Sequence, residues 1–348
     1  MMNQLLTCIL AVAVLAASAS GILPSAAPAA PSARTAAAYT VTSVTDCAKT
    51  SDQYDRFYDS GELGPVIPGL AEGLVPQGIA WLPEEDQLLY CGYRSDKKNS
   101  ALIAADRQTG EITKIVHLLY EDGSDYSGHA GGVCATEDDI YISNAKHLYR
   151  ISLEHFRSLP EESRCAFEEE IPVPVNASFC SYAEGVLWVG EFQYTGDYPT
   201  DPSHAVRGKD GVQRAWICGY RMEGRTDFGT PDCILSVTER IQGMTVRDGS
   251  IYLSQSYGRR ADSVIMRYDG VLERAPDTSA VLDGLEIPLW ILDSDCRSGA
   301  LLCPPMTECL CTVGDEVYVL FESAAQPYMD PKKPSLNPID CAFILQGF

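Results

Sequence analysis

After its first twenty residues the chain has no apolar run close to the roughly 18 residues that a membrane-crossing helix requires, so no stable span is expected beyond that stretch. Basic charge is scarce: 26 Lys and Arg stand against 48 Asp and Glu, a net charge of −22 spread along the chain. A surface of that sign repels phosphate backbones and anionic lipid, which sets nucleic acid aside as a partner. No G-x-S-x-G, H-E-x-x-H or P-loop pattern occurs, so serine-esterase, zincin and nucleotide-phosphate chemistry lack their usual signatures. Nor does any pair among the 13 cysteines have C-x-x-C spacing, and spacing alone therefore points to no structural zinc.

What the chain does have begins at its amino terminus, which is apolar through Leu5–Ala17 and then rich in small residues up to Gly21. This reads as a signal peptide over residues 1–21 and predicts a secreted or cell-surface protein, although no Lys or Arg precedes the apolar core. An uncleaved membrane anchor is the alternative. Residues 22–38 form an Ala/Pro-rich linker with nothing to bury, and residues 39–348 are long enough for one large domain with a real core. Cys91, Cys134, Cys180, Cys218 and Cys311 fall inside apolar strand patterns, where a thiol is a small core residue. Cys47, Cys296, Cys303, Cys309 and Cys341 lie in or beside loops and are better disulfide candidates.

Five segments align as short strands: Gln77–Trp81, Gly131–Ala135, Ala177–Ser181, Gln242–Val246 and Thr307–Cys311, with a tiny residue in second place in four of them. An acidic or Gly-containing turn follows each, then a second strand with Tyr90, Tyr141, Trp188, Tyr252 or Tyr318 in its second position, which is a hairpin signature. Third strands read at Ala101–Asp106, His147–Ser152, Ala215–Tyr220, Ser263–Tyr268 and Cys341–Gln346. Fourth strands read at Ile112–Leu118, Glu170–Val173, Cys233–Val237 and Leu289–Leu292. Four antiparallel strands repeated in this way predict an all-β, five-bladed β-propeller. The fifth unit lacks a fourth strand, and residues 39–46 are expected to supply it by pairing with 341–347 and so close the ring. A sixth blade within residues 47–75 is the alternative.

In such a ring the start of each first strand and the end of each second strand meet at one face. That rule gathers Gln77, His129, Asn176, Gln242 and Glu308 with Tyr93, Arg94, Asn144, Glu191, Gln255 and Glu322. The same face receives the loop Tyr120–Gly128, the Gly258–Arg260 turn and the long insertion 193–214. A polar, partly aromatic mouth with overhanging loops is a default ligand site. Glu191, Glu322 and His129 are the candidate catalytic residues; Gln77, Arg94, Asn144, Gln242, Gln255, Tyr257 and Arg259 are the candidate ligand-binding ones. Each has a plainer reading: a loop hydrogen bond for His129, an ion pair with Arg94 or Arg259 for Glu191.

The ordered set Val75-Pro-Gln-Gly78, Gly128-His-Ala-Gly-Gly132, Leu187-Trp-Val-Gly-Glu-Phe192, Ile241-Gln-Gly243, Ser256-Tyr-Gly-Arg259 and Leu320-Phe-Glu-Ser-Ala324 resembles a group of secreted bacterial propeller proteins, broadly similar to NHL-type and gluconolactonase-like propellers. The resemblance implies the fold and export rather than a reaction. A lactonase would set a metal among Glu191, Asn144 and Glu308, but the central aspartate of such sites has no counterpart here.

Three functions follow from the residues. The first is a monomeric binding module for a glycan, peptide or other small molecule, held by the aromatic rings of the mouth. The second is a glycan-directed hydrolase or lyase with Glu191 and Glu322 as its carboxylate pair. The third is a calcium-dependent scaffold with Glu308 and the acidic loops as oxygen ligands; cofactors are thus either none or calcium.

Overall fold

The computed structural model describes residues 39–47, 49 and 51–348. The expected signal peptide and linker lie outside the described residues. Among the described residues no helix is long and apolar enough to cross a membrane.

Five sheets form the blades, each built on four antiparallel strands. Blade 1 runs outward through Leu74–Leu82, Gln87–Arg94, Ala101–Asp106 and Ile112–Leu119, and blade 2 through Gly132–Ala135, Asp139–Asn144, His147–Ser152 and Glu169–Pro172. Blade 3 comprises Phe179–Ala183, Val186–Gly190, Ala215–Arg221 and Cys233–Val237; blade 4 comprises Ile241–Arg247, Ser250–Gln255, Ser263–Asp269 and Gly299–Cys303. Blade 5 runs from Thr307–Val313 through Glu316–Phe321 and Cys341–Leu345 to an amino-terminal strand, Gly61–Val66. Inner strands pack in cyclic order, blade 5 against blade 1, so the ring has five blades and is closed by the amino-terminal part of the domain.

The tiny residue in the second place of the repeats has a steric cause. A Cβ on Gly78 would lie 2.4 Å from the backbone nitrogen of Val133, and one on Gly132 would lie 2.4 Å from that of Cys180. On Gly243 it would meet the Cα of Cys309 at 2.5 Å. Neighbouring inner strands therefore touch backbone to backbone around the channel. In the fifth repeat the same place is taken by Glu308.

Two strand assignments change. Residues 39–46 are not a strand. Tyr39 is buried against blade 1, beside Leu74 and Ile103, and the amides of Val44 and Thr45 bond the Asp340 carboxylate at 2.6 and 2.9 Å. The closing strand is Gly61-Glu-Leu-Gly-Pro-Val66, whose Gly and Pro residues read as a turn. An outermost strand tolerates them because its free edge owes no ladder bonds, and the register shifts between Leu63 and Val66, around Pro65. The second change concerns Leu289–Leu292. The strand there is Leu285–Ile291, and it lies parallel to Cys233–Val237 on the rim of blade 3. Gly299–Cys303 is the fourth strand of blade 4 instead.

The twelve described cysteines are free, including the loop-side group considered for disulfides. Cys303 and Cys309 lie within strands and are fully buried. Thiol titration of unfolded, unreduced protein is expected to find the strand cysteines reactive; a count near zero would contradict their assignment to the core.

Candidate functional site

Three of the five inner strands carry an irregularity at the same face. In blade 1 Pro76 pairs with Gly92 and Gly78 with Cys91, which leaves Gln77 outside the ladder. In blade 4 Ile241 pairs with Gln255 and Gly243 with Ser254, which leaves out Gln242. In blade 5 the shift lies between Thr307 and Leu310, at Glu308. A bulge re-aims the side chain of its extra residue, and here all three bulged residues line one cavity of about 570 Å³ at the mouth of the channel.

At its floor the carboxyl groups of Glu308 and Glu322 are hydrogen-bonded to each other. Gln242 Nε2 donates to Glu308 Oε1 at 3.3 Å, and Gln77 Nε2 to Glu322 Oε2 at 2.9 Å. Glu322 directly follows the second strand of blade 5, and its backbone N–H bonds the Met306 carbonyl just before the first strand, at 3.1 Å. Burial, and then the charge of its neighbour, holds the carboxyl of Glu308 far above the usual range. Burial also raises Glu322, to about 7, against the lowering effect of its hydrogen bonds and the Arg259 charge. Two carboxylates in contact cannot both ionise cheaply, so the pair keeps at least one proton at neutral pH.

Aromatic rings form the walls. Tyr93 and Tyr328 share a hydroxyl–hydroxyl bond of 3.2 Å above Glu322, and burial raises the Tyr93 hydroxyl to about 12. His129 stacks on Tyr93 with centroids 4.7 Å apart, one face of its ring open to the mouth. The crowding around it, and then the charge of Lys97, lowers its pKa, so it stays neutral at neutral pH. Across the cavity Phe192 meets Tyr198 edge-on at 5.1 Å and Tyr257 at 5.9 Å. Arg259 lies 4.7 Å over the Tyr328 ring and donates to the Lys333 carbonyl at 2.7 Å.

Thus Gln77, His129, Asn144, Gln242, Tyr257, Arg259 and Glu322 line one cavity together with Glu308. Glu191 does not line it, and the Glu191–Glu322 pair is not assembled. Glu191 is 1 % exposed; its Oε1 accepts from the amide of Asn176 at 3.1 Å, and Oε2 from the amide of Trp216 at 3.1 Å, with His204 Nδ1 at 2.9 Å. The His204 ring stacks on Trp216 at 3.9 Å. Its partner is thus a histidine of the insertion rather than an arginine, and a metal set of Glu191, Asn144 and Glu308 is not brought together. Arg94 is engaged by Asp96 at 2.7–2.8 Å and lies over Tyr39, clear of the cavity. Gln255 donates to the Glu239 carbonyl at 2.8 Å and lines a separate polar cleft of about 210 Å³.

Tyr328 went unnoticed in the sequence. It sits in a single 3-10 turn, Gln326–Tyr328, between the second and third strands of blade 5, a connection that the face rule assigns to the mouth. The bulges had no visible signal, because a Gln or Glu at a strand start looks like any edge polar residue.

No protein-family model matches the chain, and no curated protein matches it in sequence. Some solved structures are similar to it at low identity and low TM-score. The GH43_1 enzyme from Xanthomonas citri is 10% identical with a TM-score of 0.43, covering 84% of this chain and 92% of that one. Myxococcus xanthus glutaminyl cyclase is 8% identical with a TM-score of 0.39, covering 72% and 86%. BamB from Moraxella catarrhalis is 8% identical with a TM-score of 0.31, covering 78% and 85%. The assignment as a five-bladed β-propeller rests on the strand pairing itself.

Proposed function

We propose that the protein is an exported, monomeric propeller whose mouth binds a neutral, hydroxyl-rich ligand, the end of a glycan chain. The observation that carries this reading is a buried Glu308–Glu322 pair bonded by two glutamine amides under the rings of Tyr93, Phe192, Tyr198, Tyr257 and Tyr328; burial raises both carboxyls, so the pair keeps at least one proton. Such a floor both donates and accepts hydrogen bonds, as sugar hydroxyls require, and aromatic faces suit the C–H faces of a pyranose. The net charge of −22 disfavours anionic ligands, and Arg259, the one arginine lining the cavity, already has a carbonyl and a ring as partners.

Calorimetric titration with a panel of neutral oligosaccharides tests the proposal. At least one should bind, and Tyr257→Ala should weaken that binding about tenfold with little change in melting temperature. Binding that ignores Tyr257→Ala would contradict it.

A glycan-cleaving reading has one observation in its favour: a carboxyl that titrates near 7 beside one held protonated is the state a general acid needs. Against it, carboxyls in hydrogen-bond contact stand closer than the roughly 5–10 Å that glycosidase pairs use. Sugar release by wild type that is lost in Glu322→Gln would decide for cleavage.

A further inference from the structure

A second polar cluster, unused by the mouth, joins the amino-terminal segment to blade 5. Asp340 is fully buried. Its Oδ2 accepts three bonds, from Ser43 Oγ at 2.9 Å, Val44 N at 2.6 Å and Thr45 N at 2.9 Å. Its Oδ1 faces two thiols, Cys47 Sγ at 2.8 Å and Cys341 Sγ at 3.3 Å, and the two sulfurs are 3.9 Å apart. Cys47 turns its thiol inward from a left-handed backbone, φ 48°, which costs a non-glycine residue about 1 kcal/mol or more and persists only where the surroundings over-determine it.

We propose that Cys47 Sγ, Cys341 Sγ and Asp340 Oδ1 form a binding site for a thiophilic divalent cation, zinc by preference, which clasps the segment 39–47 to the fifth blade. The three donor atoms lie within 4.8 Å of one another on buried residues. Around tetrahedral zinc with Zn–S bonds of about 2.3 Å, two sulfurs stand about 3.8 Å apart, close to the separation here. A disulfide requires about 2 Å, so the sulfurs would have to move together by nearly that much.

Charge favours the exchange as well. Two thiols and one carboxylate carry −1; a divalent cation that displaces both thiol protons leaves −1, so no net charge is added to the interior. The reaction is M²⁺ + 2 RSH → M(SR)₂ + 2 H⁺, with the protons released to solvent. Oδ2 is saturated by its three donors, which leaves Oδ1 for the metal. Cys47 and Cys341 keep 5 % and 9 % exposure, an opening for a water as fourth ligand. Sequence spacing gave no hint of this, because the two cysteines lie 294 positions apart.

The test is titration of the reduced, chelator-treated full chain with Cd²⁺ and with Zn²⁺. Expected are one equivalent bound, a thiolate-to-cadmium charge-transfer band, two protons released and a raised melting temperature. Cys47→Ser and Cys341→Ser should each weaken binding at least about tenfold, while Cys233→Ser should not. If Cys341→Ser does not fold, Cys47→Ser, which lies ahead of the blades, answers the same question. The proposal is overturned by wild type that shows no band, by a band unchanged in Cys47→Ser, or by a peptide map in which Cys47 and Cys341 are joined as a disulfide.

Discussion

Wild-type stability is expected to fall by about 3 kcal/mol as pH rises from about 4.5 to about 7. In the folded protein the Glu308–Glu322 pair keeps a proton that the unfolded chain gives up above about 4.5, the ordinary glutamate value. The native state therefore binds more protons than the unfolded one across that window, and stability must drop as pH climbs. His129, held below its ordinary range, opposes part of this fall within the window, whereas the carboxylates held low do not interfere. Arg107 holds Asp86 below the usual carboxylate range, and Arg94 does the same for Asp96, so their contributions are lost only at lower pH. Glu308→Gln should lessen the slope, since burial still raises Glu322 on its own, and leave the protein more stable than wild type at neutral pH. Urea unfolding of both proteins across the window measures this; a flat wild-type profile, or an equal slope in the variant, would contradict the shared proton.

The largest loss of stability is expected from His204→Ala. The change leaves the Glu191 carboxylate buried without its side-chain partner and removes the ring stacked on Trp216. Breaking one side of a buried, hydrogen-bonded pair costs about 3–5 kcal/mol. Glu191→Gln should cost less, since one amide oxygen can still accept from Asn176 or Trp216 while its NH₂ faces the other donor. Both variants should also weaken ligand binding, because the insertion they anchor carries Tyr198 over the mouth and begins next to Phe192. Chemical denaturation measures the first effect. A melting temperature unchanged in His204→Ala would show that the insertion is held by something else.

The blades were legible because hairpins announce themselves locally: an acidic or glycine turn between two β-rich runs fixes a pair whatever lies around it. Outer strands were less so, since pairing partners at the rim are set by tertiary proximity. A strand was readable at Leu289–Leu292, but nothing in Ile-Pro-Leu-Trp-Ile says that it begins at Leu285 or lies parallel on blade 3. Gly61–Val66 was hidden by its own glycines and proline, while the Thr/Val alternation of 39–46 suggested a strand that never forms. At the site, topology put Gln77, Gln242, Glu308 and Glu322 on one face, and the structure gathers all four. The same rule could not separate Glu191, which ends its strand one step deeper and turns into the blade to bind backbone amides. Whether a carboxylate at a strand end looks into the channel or into its own sheet depends on the bulges, which composition does not reveal.

The most direct test of the account is a crystal structure with a bound neutral oligosaccharide from the titration panel. A sugar ring is expected against Phe192 and Tyr257, with hydroxyls on the Glu308–Glu322 pair and on Gln77 or Gln242. Sugar bound instead in the cavity of about 390 Å³ at the opposite end of the channel, between Trp81, Tyr182 and Arg247, would contradict it.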